Sequence, residues 1–149
     1  MNAKRFQYNL KAVQRRNEWE KNSARQDVSE AKKVLEDKKD QEQKLSEKVS
    51  DIENELRMMT EGNMDLDPGR LTMTMQYMSS KRHDLSEGKK ETLKALEEYD
   101  EKFDTYVEAD KNVRVIEKHK QRELKKFLQE DNREIYKESD DLWIGRKGE

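Results

Sequence analysis

Apolar residues recur in alternating steps of three and four along most of the chain. From Phe6 the series runs through Leu10 and Val13, crosses the polar Asn17 and Glu20, and reaches Ala24. It restarts at Val28 and continues through Ala31, Leu35, Lys38, Glu42, Leu45, Val49, Ile52, Leu56 and Met59. Such spacing lays one narrow seam along a helix, and the four-residue step between Ala24 and Val28 is a stutter that locally relaxes the supercoil. The intervening residues are mostly Lys, Glu, Asp, Gln and Arg, which are compatible with solvent and with helix. A first helix over 3–60 is expected.

The same stepping resumes at Leu71 and passes Met75, Met78, Arg82, Leu85, Lys89, Thr92, Leu96, Tyr99, Phe103 and Tyr106. It continues less cleanly through Asp110, Val113, Glu117, Lys120, Leu124 and Phe127, with Ile135 and Leu142 further on. A second helix over 70–140 is expected, followed by a flexible tail over 141–149. Between the two lies Glu61–Gly69. Gly62 suits the left-handed position that ends a helix, and Asp67 followed by Pro68 reads as an N-cap with proline at the first helical position. The expectation is an all-α fold: a single, long antiparallel two-helix coiled-coil hairpin spanning 1–149.

Folding the two helices about that loop pairs apolar with apolar in one constant register. Met59 meets Leu71, Leu56 meets Met75, Ile52 meets Met78, Leu45 meets Leu85, Leu35 meets Leu96 and Val28 meets Phe103. The register also pairs Glu42 with Lys89, read either as a register-fixing polar layer or as a tolerated weak one. Far from the loop, Asn17, Glu20, Asp110, Glu117 and Lys120 put polar groups into the seam, while Ile135, Leu142, Trp143 and Ile144 extend past the first helix. That underfilled end is open to two readings, completion by another protein or simple fraying. Gly88 inside the second helix costs about 1 kcal/mol relative to alanine.

Composition narrows the class. Of 149 residues, 44% are charged and 31% hydrophobic, too few for a three-dimensional core but enough for one seam. There is no cysteine, hence no disulfide framework, and no apolar run of membrane-spanning length. The net charge of −2 hides an uneven distribution. Residues 1–26 carry seven basic and two acidic side chains, 110–126 carry seven and three, and 27–67 carry seven and thirteen. The hairpin is expected to gather both basic segments at the terminal end, which then favours an acidic partner surface. Nucleic acid is disfavoured as a partner, because acidic residues interleave and no base-reading module is present.

No catalytic chemistry can be assembled. His83 and His119 are not brought together by the register, and no metal is expected. Asn63, Asp65 and Asp67 open like a calcium loop, but Pro68 stands where glycine is required and Thr74 where the bidentate glutamate belongs. Gly62 and Gly69 form no phosphate cradle, and a two-helix hairpin offers no enclosed pocket for a small molecule. A non-enzyme without cofactor follows. Methionines gather near the loop; Met59, Met75 and Met78 fit the seam, leaving Met64 and Met73, with Tyr77, as an adaptable exposed surface.

The opening Arg5-Phe6-Gln7-Tyr8-Asn9-Leu10-Lys11-Ala12-Val13-Gln14-Arg15-Arg16, the short central loop, and the closing Glu117-Lys118-His119-Lys120-Gln121-Arg122-Glu123 with Glu138-Ser139-Asp140-Asp141-Leu142 resemble the flagellar export protein FliJ family. The YscO family of virulence type III secretion is similar in size and layout. The resemblance covers nearly the whole chain through loose heptad-like patterns. It implies a stalk-like, non-enzymatic part of a bacterial export apparatus, cytoplasmic and peripheral to the inner membrane. The implied partners are a hexameric export ATPase, a membrane export-gate subunit and export chaperones. By that resemblance the terminal end would enter the ATPase ring, with Lys4, Arg5, Phe6, Leu10, Arg15, Arg16, Lys118, Lys120, Phe127, Ile135, Leu142 and Trp143 facing it. Met64, Met73, Gln76, Tyr77 and Ser80 would face the gate. The competing expectations are a virulence-type counterpart and an oligomerising coiled-coil scaffold.

Overall fold

The computed structural model describes residues 5–62 and 67–147. The chain is an all-α antiparallel two-helix hairpin, with no strand among the described residues. Helix α1 is Lys11–Glu61, 51 residues, and α2 is Pro68–Lys147, 80 residues.

The helix boundaries follow local chemistry. Asp67 caps α2 as its sequence context predicts: its carboxylate Oδ1 accepts from the Gly69 N–H at 3.0 Å and its carbonyl from the Leu71 N–H at 3.0 Å. Gly62 does not take the left-handed conformation expected of it, since no described glycine has positive φ. Its N–H instead donates to the Met58 carbonyl at 3.1 Å, extending the helical ladder by one more residue.

The first helix starts later than the expected residue 3. Phe6 and Tyr8 are half-buried while Arg5 and Gln7 are exposed, a period of two that belongs to extended backbone. A turn in which the Lys11 N–H donates to the Tyr8 carbonyl at 3.2 Å then leads into α1. At the other terminus, 141–147 are helical rather than a flexible tail; no proline or glycine lies between Gly88 and Gly145 to stop α2.

The chain divides into two compact units. One comprises Ala24–Thr105. On α1 it buries Ala24, Leu35, Val49 and Ile52, with Val28, Ala31, Lys38, Glu42, Leu45, Leu56 and Met59 half-buried, the seam that the periodicity predicts. On α2, Leu71, Met78, Leu85, Thr92 and Tyr99 also hold their predicted places.

The alternate α2 positions are shifted by one residue. Thr74, Lys81, Gly88 and Ala95 face the seam instead of Met75, Arg82, Lys89 and Leu96; Met75 and Phe103 are 57% and 45% exposed. Two of these four positions, Gly88 and Ala95, carry the smallest side chains. A Cβ added at Gly88 would lie 3.4 Å from Leu45 Cδ1. Glu42 and Lys89 line one shallow groove, but the cross-helix ion pair at this level joins Lys38 Nζ to Glu91 Oε2 at 3.1 Å. The Thr92 hydroxyl donates to the Lys38 carbonyl at 3.3 Å, in the predicted register.

The other unit comprises Met1–Ser23 and Tyr106–Glu149. Ala109 and Val113 are its buried apolar residues, flanked by half-buried Tyr106, Ile116, Lys120, Glu123 and Phe127. Ile116 therefore takes the seam position expected of Glu117, and Glu123 that of Leu124. Leu10 and Val13 lie outside the seam, 37% and 41% exposed, because Phe6 and Tyr8 cover α2 in their place.

Candidate interaction surfaces

Three residues expected at the terminal surface, Phe6, Lys120 and Phe127, sit in the helical seam or the clasp that closes it. Phe6 packs on Phe127 with ring centroids 5.6 Å apart and planes tilted by 56°. Tyr8 stands beside them, its ring 6.4 Å from Phe6 and 5.7 Å from His119. The Tyr8 hydroxyl lies 2.6 Å from His119 Nδ1 and 3.5 Å from the Ile116 carbonyl. Phe6 and Phe127 are thus packed on each other, both half-buried. Lys120 is half-buried at a seam position, whereas Lys118 is exposed.

Of the polar groups expected in the seam at this end, Asp110 is held by charge. Lys21 Nζ reaches Asp110 Oδ1 at 3.0 Å, and Arg114 Nε reaches Asp110 Oδ2 at 3.0 Å. The hydrogen bond from Lys21 holds the Asp110 carboxyl below its ordinary value of 3.8, with Arg114 and Lys21 charge acting in the same direction against the opposing effect of burial. No buried side-chain polar atom lacks a partner among the described residues.

Arg5, Arg15 and Arg16 are exposed, with Arg16 paired to Glu20 at 3.1 Å. Leu10, Ile135, Leu142 and Trp143 are exposed as well, the last three on the final turns of α2. Lys4 lies outside the described residues.

In the loop-bearing unit, Met73 is 71% exposed, and Gln76, Tyr77 and Ser80 are exposed with it. Lys81 Nζ sits 5.5 Å from the centre of the Tyr77 ring. Met64 lies outside the described residues. Met58, 76% exposed, and Met75 join the exposed methionines. The Met75 position was concealed by the one-residue phase shift of α2.

Tyr8 and His119 are a contact pair that sequence reasoning missed. The alternation of Phe6 and Tyr8 was the available signal, overshadowed by helical spacing on either side. Among the described residues no group of His, Asp or Glu is arranged to hold a metal, and no helix is long and apolar enough to cross a membrane. Comparison with family models, curated proteins and solved structures returns no match.

Proposed function

We propose that this chain is a non-enzymatic component of a type III-type, flagellar protein export apparatus. It acts as a stalk-like adaptor that couples a hexameric export ATPase to a membrane export-gate subunit and assists delivery of substrates and their chaperones. The observation carrying this reading is the two-helix hairpin with exposed cations from both helices in one unit, Arg15 and Arg16 on α1 and Lys118 on α2. Such a surface fits an acidic ring interior. The unit containing Met73, Gln76, Tyr77 and Ser80 then meets the gate. The working location is the bacterial cytoplasm, at the inner face of the membrane.

The test is ATPase stimulation. The purified chain is expected to raise the turnover of its cognate export ATPase, and R15E/R16E/K118E to abolish that effect without changing the circular dichroism melt. A chain that binds no export ATPase in lysate pull-downs and leaves turnover unchanged overturns the reading. The heptad-spaced, exposed Leu128, Ile135 and Leu142 favour a second reading, an oligomerising scaffold. A concentration-dependent dimer in sedimentation equilibrium, lost in I135E/L142E, would select it.

A further inference from the structure

The charges on α2 are sorted around its circumference in a way that their order in sequence conceals. At about 100° per residue, Lys111, Arg114, Lys118, Arg122, Lys125 and Arg133 fall within one sector about 100° wide. All six are exposed, and the sector points away from the buried Ala109 and Val113. From residue 111 to 133 no acidic residue falls within it; Glu117, Glu123, Glu130 and Asp131 lie to its sides or behind it. Lys111, Lys118, Arg122 and Lys125 form no ion pair among the described residues, while Arg114 is held by Asp110 and remains 73% exposed. At 1.5 Å per residue the stripe runs for about 33 Å.

We infer that this stripe is a docking surface for an acidic α-helix of a partner protein, laid along α2. Width decides the occupant. The cationic sector is one helix face wide and bordered by carboxylates, so a helix 10–12 Å across can lie on it without meeting them. A nucleic-acid duplex or an anionic bilayer is broader and would approach Glu117 and Glu130 as well. The stripe also lacks the two devices those ligands use. No aromatic residue stands among the six cations to stack on bases. Val115 is the only apolar residue of 111–133 within the sector, too little to anchor a helix in lipid. Six cations repeating at intervals of three, four, seven or eight match a partner helix whose acids repeat likewise. The inference goes beyond the export reading and stands without it, since it rests on charge placement alone.

The probe is an alanine-rich, end-capped helical peptide of roughly 22 residues, the length of the stripe. It carries glutamates along one face, and its binding to the full chain is followed by fluorescence anisotropy at low ionic strength. It is expected to bind at least about tenfold more tightly than a shuffled peptide of the same composition, because only the ordered face matches the stripe. K118E/R122E/K125E, and more mildly R122Q/K125Q, should lower that affinity, whereas K33E/K44E/K48E on α1 should not. Equal binding of the shuffled peptide overturns the inference. So does equal loss with the α1 variant, or tighter binding to a DNA duplex or phosphatidylglycerol vesicles than to the ordered peptide. Because the readout uses a synthetic helix, its failure is distinct from failure of the ATPase test.

Discussion

Tyr8 and His119 stand 111 positions apart in sequence and 2.6 Å apart at their hydrogen-bonding atoms. This contact, with Phe6 on Phe127, fastens the non-helical start of the chain to α2 and fixes where α1 begins. Replacing Tyr8 with Phe keeps the ring but removes its bonds to His119 and the Ile116 carbonyl. A loss of about 0.5–1.5 kcal/mol is expected, the usual net worth of such a bond. Phe6→Ala should cost more than Tyr8→Phe, because it removes a half-buried ring from Phe127. Hydrogen exchange of the amides at 11–16 is the sensitive readout. Both variants should accelerate it while leaving the amides around Val49 and Ile52 unchanged, and uniform acceleration throughout would show that the clasp is not local.

Asp110 carries a pH dependence whose sign follows from its partners. Its folded-state pKa is lowered, chiefly by the Lys21 hydrogen bond, so its stabilising effect is present above the ordinary 3.8 and is lost as pH falls through the folded value. Asp110→Asn should therefore destabilise the chain at neutral pH, and the two stability curves should converge in acid. Urea melts from neutral pH downward test this. A difference between the proteins that persists unchanged into strong acid would assign the effect to packing rather than charge.

Gly88 faces Leu45 from within α2, and two opposing effects meet there. Alanine removes the helix penalty of glycine, about 1 kcal/mol. Its Cβ would lie 3.4 Å from the Leu45 methyl, the end of a mobile side chain that can yield. Gly88→Ala is thus expected to be stabilising by up to about 1 kcal/mol, whereas Gly88→Leu should be destabilising by about 1–3 kcal/mol through overpacking. Thermal melts of the two variants decide it, and destabilisation by alanine would show that this layer has no slack.

The fold was legible because one physical signal, apolar spacing, repeats for most of the chain length and every α1 seam residue from Ala24 to Met59 obeys it. The Asp67 cap was legible because a carboxylate before proline does one local job. What stayed hidden had tertiary causes. The α2 seam does not follow hydrophobicity alone: Gly88 and Ala95 lie in it, and Lys89 and Leu96 outside it. The Phe6–Phe127 clasp depends on rings that meet only after folding. Asp110 looked like a fault in the seam until Lys21 and Arg114 were seen to hold it. The cationic face of α2 is invisible to a segment count, since Glu117 and Glu123 sit among the lysines in sequence but not around the helix.

Ala95 and Leu96 separate the two phases of α2 most sharply. Ala95 is 6% exposed and Leu96 39%, although hydrophobicity alone would place the leucine inside. With Ala95 buried in the seam, Ala95→Leu must force three additional carbons and their hydrogens into it and should cost about 1–3 kcal/mol. Leu96→Ala removes a side chain that is only partly covered, so its cost should stay below the roughly 2–5 kcal/mol of a buried leucine. Leu35→Ala, at a position 6% exposed on α1, provides that buried reference within the same unit. The expected order of loss in chemical denaturation is Leu35→Ala above Leu96→Ala, with Ala95→Leu destabilising. If Ala95→Leu were neutral and Leu96→Ala as costly as Leu35→Ala, the seam would follow hydrophobicity after all, and α2 would be rotated by one residue.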